Sequence, residues 1–151
     1  MLAVVQRVSL ARCIVEEKTI ADIDKGALVL LAINRNDGLQ DARWMVKKIV
    51  NLRIFEDQAC KMNLSLLQIE GDILIVPQFT LYGNCRKGSR PNFSQAANPQ
   101  MARDLFSRVL DFLNEYSLRV AQGLFGARMR VELKNEGPVT LILNSDKQVR
   151  C

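Results

Sequence analysis

Apolar and polar positions change rhythm several times along this chain, and each rhythm predicts an element. Residues 2–15 are apolar enough for one long strand, or for two strands with a bend near Ser9. Glu16-Glu17-Lys18 is a polar turn, and residues 19–23 return as a hairpin partner. After Asp24-Lys25-Gly26, the run Ala27 to Ile33 is continuously apolar, which predicts a strand buried on both faces. The period then lengthens. Ala42, Met45, Val46 and Ile49 fall on one helical face, with Lys47 and Lys48 outward. Asp37 with Gln40 predicts the start of that helix in the manner of a capping box.

Residues 51–67 show no period and read as irregular. Ile73 to Val76 is a second buried-strand pattern, and 82–97 is a long polar stretch of the kind that often carries function. Asn98-Pro99 opens the clearest helix, with Asn as N-cap and Pro in the first helical position. Met101, Leu105, Val109, Phe112 and Leu113 line its apolar face, while Arg103, Asp104, Arg108 and Asp111 lie elsewhere on it. Two strands close the chain, 128–134 and 139–144. In the first, Met129, Val131 and Leu133 alternate with Arg128, Arg130 and Glu132, so one face is buried and the other charged. The expected class is α+β, a bent, mostly antiparallel sheet with helices packed on one side.

The length, 151 residues, fits a single domain spanning 1–151 with a real core. No segment approaches the length of a membrane span, and the first residues lack an apolar signal core, so a cytoplasmic location is expected. The net charge of +5 suits a polyanionic partner without proving one. The chain has no His, so its chemistry must proceed without the usual neutral-pH acid and base. Cys13, Cys60, Cys85 and Cys151 form no C-x-x-C pair. Four reduced thiols are expected, with no metal site and no cofactor.

Two short blocks carry the candidate chemistry: Pro77-Gln78-Phe79-Thr80-Leu81, and Asn135-Glu136-Gly137-Pro138-Val139-Thr140. Each adjoins an apolar strand run. A Gly-Pro pair at a strand entrance is a stiff bend, and X-Pro is the one common place for a cis peptide bond. Together the blocks resemble the D-aminoacyl-tRNA deacylases, whose signatures are Ser-Gln-x-Thr-Leu and Asn-x-Gly-Pro-Val-Thr. The second is matched in full. The first is matched except that Pro77 stands where Ser is expected. Val4-Val5-Gln6-Arg7-Val8, Asn51-Leu52-Arg53-Ile54-Phe55, Lys61-Met62-Asn63-Leu64, Arg90-Pro91-Asn92-Phe93 and Phe125-Gly126-Ala127 also look like family segments, in family order.

The resemblance implies a barrel-like, homodimeric fold that hydrolyses the ester between a D-amino acid and the terminal ribose of tRNA, and glycyl-tRNA as well. That ester is already reactive, so positioning and oxyanion stabilisation can supply most of the rate. A ribose hydroxyl is then expected to help activate water. Phe79 and Thr80 are candidates to offer backbone N–H groups to the oxyanion, and Gln78 to hold the loop or touch substrate. Thr80 as nucleophile would need an adjacent base, and none is visible nearby. Gly137 and Pro138 are expected to enter the partner subunit's pocket and exclude L side chains. Arg7 would brace their loop, or be a surface charge. Met129 would line the pocket, or simply pack. Arg86, Lys87 and Arg90 are candidate phosphate contacts for the tRNA end, extended by Lys47, Lys48, Arg128 and Arg130, or a solvated loop.

Pro77 is the departure from the pattern. It removes a hydroxyl and a backbone donor, and its strand must end there or lie at an edge. A related animal group that removes L-alanine from mischarged tRNA also carries Pro at this position. Relaxed chirality is therefore one alternative, and a non-catalytic tRNA-end binding module is another. A purely structural dimerisation protein would explain neither block.

Overall fold

The structure is a computed structural model that describes residues 1–146. Cys151 lies outside the described residues. Strand β1 (Leu2–Val15) is continuous, followed by β2 (Lys18–Ile23) and β3 (Gly26–Ala32). Helix α1 (Leu39–Asn51) leads to the short hairpin β4 (Phe55–Glu56) and β5 (Met62–Leu64). Then come β6 (Asp72–Pro77), a 3₁₀ turn (Phe79–Tyr82), α2 (Pro99–Leu113), β7 (Val120–Gln122) and β8 (Arg130–Asn144).

The main sheet runs β2-β1-β3-β6-β7, with β8 along the other side of β1. The long β1 organises it. Residues Leu2 to Val8 pair with β3 and residues Ala11 to Val15 with β2, both antiparallel, while β8 follows nearly the whole of β1. Of the two readings of residues 2–15, the single long strand is the one observed, and the β1–β8 ladder slips between Val8 and Leu10, beside Ser9. There the buried side of β1 changes: Ala3 and Val5 face the helices, whereas Val8, Ala11 and Cys13 face the other way. The β3–β6 and β6–β7 pairs are parallel. Parallel pairs are normally covered on both faces, which accounts for the unbroken apolar runs in β3 and β6.

Both helices lie on one side of this mixed, barrel-like sheet. Ala42, Met45, Val46, Ile49 and Val50 of α1 join Leu105, Phe106, Val109, Phe112 and Leu113 of α2. They pack on Val29, Leu31, Ile73 and Ile75. The alternate residues Leu28, Leu74 and Val76 fill a second cluster with Val8, Ala11, Cys13 and Ile23. Each fully buried Val, Leu, Ile, Met or Phe among them contributes about 1.5–3 kcal/mol. Met129, Val131 and Leu133 pack against this second cluster, as their alternation predicts.

Three sequence expectations need correction. Asp37 does not cap α1. Its carboxylate takes the Met1 ammonium at 2.7 Å and the Asn34 N–H at 2.6 Å, so Gly38 is the N-cap and Asp41 accepts the Gly38 N–H at 3.0 Å. The last two predicted strands are one, β8, interrupted by a bulge. The region 51–67 contains the β4–β5 hairpin, held by Asp57, which accepts the N–H groups of Ala59 and Lys61 and the Asn63 amide. No helix among the described residues is long and apolar enough to cross a membrane.

Candidate active site

Strand β6 ends at Pro77, and its surroundings explain why a proline is tolerated in a central strand. On one side β7 pairs only as far as Ile75, where the Gly123 N–H reaches the Ile75 carbonyl at 2.9 Å. On the other, the next donor is Gln78, whose N–H bonds the Leu31 carbonyl at 2.7 Å. No ladder bond is missing at residue 77. Pro77 and Met129 both lie against Gly123 here. A methyl group on the buried Gly123 would lie 2.9 Å from Met129 Sδ and 3.4 Å from Pro77 Cδ.

The turn that follows β6 is a 3₁₀ helix, so its first N–H groups have no partner within it. Its first bond is from Leu81 N–H to the Gln78 carbonyl, 3.2 Å, which leaves the N–H groups of Phe79 and Thr80 ahead of it. Both residues are exposed. The Gln78 amide donates to Thr80 Oγ1. An amide that donates to a hydroxyl cannot also act as its base. The nearby Tyr82 phenol is pushed up by burial and then by the charge of Asp37, so it stays protonated at neutral pH. The turn therefore offers polar donors and no general base.

The basic loop is joined to this turn through aromatic rings. Phe79 and Phe93 meet edge to face with centroids 5.2 Å apart. Asn84 and Asn92 exchange backbone bonds of 2.8 and 3.0 Å, closing the loop that carries Arg86, Lys87 and Arg90. All three cations are exposed, and none forms an ion pair among the described residues. Phe93 and the Asn84–Asn92 clasp were not singled out from sequence. Asn92 and Phe93 carry a signal only through the segment Arg90-Pro91-Asn92-Phe93, and Asn84 carries none.

Arg7 is buried, with 6 % exposure, and it sits under the other block. Its Nε donates to the Glu136 carbonyl at 3.0 Å, one terminal nitrogen to the Ile54 carbonyl at 2.8 Å, and the other to the Glu56 carboxylate at 3.4 Å. Val8 pairs with Asn135 and Gln6 with Thr140, so Arg7 alone stands opposite the four residues 136–139. The surplus backbone bulges outward. The Gly137–Pro138 bond is cis, both residues are exposed, and Val139 returns to the core. Asn135 closes the bulge, donating from one amide nitrogen to the carbonyls of Arg7 (3.0 Å) and Val139 (3.1 Å).

Within the chain the two blocks do not meet. Pro77 lies level with Leu31, Ala3 and Leu143 across the sheet, whereas the bulge lies level with Arg7, farther along β1. At about 3.3 Å per residue and about 4.8 Å between strands, the separation exceeds roughly 10 Å. Lys47, Lys48, Arg128 and Arg130 are exposed, and Arg130 is paired with Glu17 at 2.8 Å. Cys13 is buried, its thiol pKa pushed up by desolvation, while Cys60 and Cys85 are exposed and free. No cluster that could hold a metal ion occurs among the described residues.

The model of the family described as D-Tyr-tRNA(Tyr) deacylase matches residues 4–144. A D-aminoacyl-tRNA deacylase of Thermosipho melanesiensis is 54% identical over 148 residues, covering 97% of this chain and 99% of that protein. One from Fervidobacterium nodosum is 48% identical over 147 residues, with the same two coverages. Among solved structures, a c-Myc DNA unwinding element binding protein superposes with a TM-score of 0.92 at 39% identity, covering 97% of this chain and 99% of that one.

Proposed function

The chain belongs to the D-Tyr-tRNA(Tyr) deacylase family, and from that premise we propose how it performs its reaction. That reaction is hydrolysis of the ester joining a D-amino acid to tRNA, which frees both. The observation that carries our reading is the separation of the two blocks. The turn after Gln78 leaves the Phe79 and Thr80 N–H groups outside its own hydrogen bonds, at exposed residues, and the Gly137–Pro138 bulge lies several strands away from it on the same protomer. A second copy of the chain brings one protomer's bulge to the other's turn.

In this dimer the carbonyls of the bulge hold the substrate's amino group. The step itself occupies the space that an L side chain would need. Selection by exclusion rejects L-esters and leaves glycine, which has no side chain, open to hydrolysis. The Phe79 and Thr80 N–H groups stabilise the oxyanion, Gln78 holds Thr80, and a ribose hydroxyl of the tRNA helps activate water. The absence of His and of a base in the turn supports this division of labour between protein and RNA. Arg86, Lys87 and Arg90 contact the phosphates of the tRNA end.

The exposed edge of β8 supports the dimer. Among the described residues, this strand of 15 residues pairs with β1 alone. Ile142 is 74% exposed and Leu141 37% exposed. An edge strand that exposes apolar side chains in this way is normally paired, covered or blunted.

The test is deacylation of matched D- and L-tyrosyl-tRNA, with glycyl-tRNA and L-alanyl-tRNA alongside. The expected result is loss of the D-ester and of glycyl-tRNA, with both L-esters spared. Loss of L-alanyl-tRNA would instead assign relaxed chirality, with Pro77 as its first suspect.

A further inference from the structure

We propose that Asn135 is a positioning residue that sets how far the Gly137–Pro138 step projects, and with it the preference for D over L substrates. This rests on the reading of that step as the chirality filter.

The argument begins with the ladder. Four residues of β8 stand against one of β1, so the bulge cannot be held by regular strand pairing. Two side chains hold it instead. Arg7 works from beneath, fixing the Glu136 carbonyl to the β4 segment through Ile54 and Glu56. Asn135 works across the neck. Its Nδ2 ties the Arg7 carbonyl on β1 to the Val139 carbonyl where β8 resumes. Its Oδ1 packs beneath Gly137, where an added Cβ would stand 3.0 Å away. One amide thus closes the neck and supports the turn.

An exclusion filter is sensitive to such support. It works only while the wall stays where the wrong side chain would go, and displacements of about 1 Å in a reacting geometry cost on the order of 100-fold. Aspartate in place of Asn135 keeps the shape but has no donor, and it sets a carboxylate against two carbonyl oxygens. Serine is too short to span the neck. Either change releases the Val139 end, and the step can swing back from an L side chain.

The experiment compares the wild type with Asn135→Asp and Asn135→Ser in the full chain. Rates on D- and L-tyrosyl-tRNA are measured beside thermal unfolding. The expected result is a rise in L-ester hydrolysis that lowers the D:L ratio by about tenfold or more, with the variants still folded. An unchanged ratio, whether both rates hold or fall together, would overturn the proposal. So would failure of both variants to fold, because Asn135 would then be a residue of the fold rather than of the filter. A wild type that does not distinguish D from L would remove the filter reading itself, and this proposal with it.

Discussion

Thr80 carries an exposed hydroxyl near the start of its turn, yet its partner there is a donor. Gln78 gives it a hydrogen bond and cannot remove its proton. Thr80→Val is therefore expected to slow D-ester hydrolysis by less than about tenfold, whereas loss of a true covalent nucleophile costs on the order of 10⁴ or more. Single-turnover rates on D-tyrosyl-tRNA decide between them. Gly26 makes a sharper structural demand. It lies between Val8 of β1 and Asp72 of β6, and a Cβ there would fall 1.9 Å from the Asp72 carbonyl oxygen. Backbone cannot yield as a flexible side chain can. Gly26→Ala should cost at least about 3 kcal/mol or prevent folding, as read by urea denaturation.

Among the elements, those with strong local signals match their expectation. The α2 helix begins where Asn98-Pro99 indicates, with Asn98 Oδ1 accepting the Met101 N–H at 2.9 Å. The helix α1 keeps its predicted stripe but not its predicted cap, because a distant ammonium claims Asp37. The β4–β5 hairpin and the three-residue β7 carry too few alternating positions to be read locally. In that hairpin the Lys61 N–H is the main cause that holds the Asp57 carboxyl below the usual carboxylate range, with the Ala59 N–H and the Asn63 amide adding to it. A depressed folded value means that the stabilisation is complete above the unfolded pKa of about 4, and is lost as pH falls through the lower folded value. Asp57→Asn should flatten that acid limb in thermal unfolding measured from about pH 2.5 to 6. An acid limb as steep as that of the wild type would dismiss Asp57 as its source.

At the scale of the whole molecule, the proposed cross-subunit site makes catalysis depend on assembly, and the β8 edge, which has no second strand partner among the described residues, is the candidate contact. Ile142 lies on this strand, 74% exposed and outside both core clusters. Ile142→Lys should leave the protomer folded and shift it toward monomer in light scattering, with deacylation falling in parallel. A monomer that retained full D-ester hydrolysis would defeat the cross-subunit site.

Sequence alone determined what depends on near neighbours. Helical spacing marks both helices, uninterrupted apolar runs mark β3 and β6, and the two motif blocks declare the family. Hydrophobic period and motif identity are local properties, so they survive without the fold. Tertiary structure decided the rest. It brought Arg7 to Glu136 across 129 positions and Phe93 to Phe79, joined β3 to β6 in parallel, and merged two apparent strands into one bulged β8. These contacts depend on where distant segments come to lie, and no local pattern encodes that placement. The same holds for the distance between the two blocks, which is set by strand register across the sheet rather than by either motif.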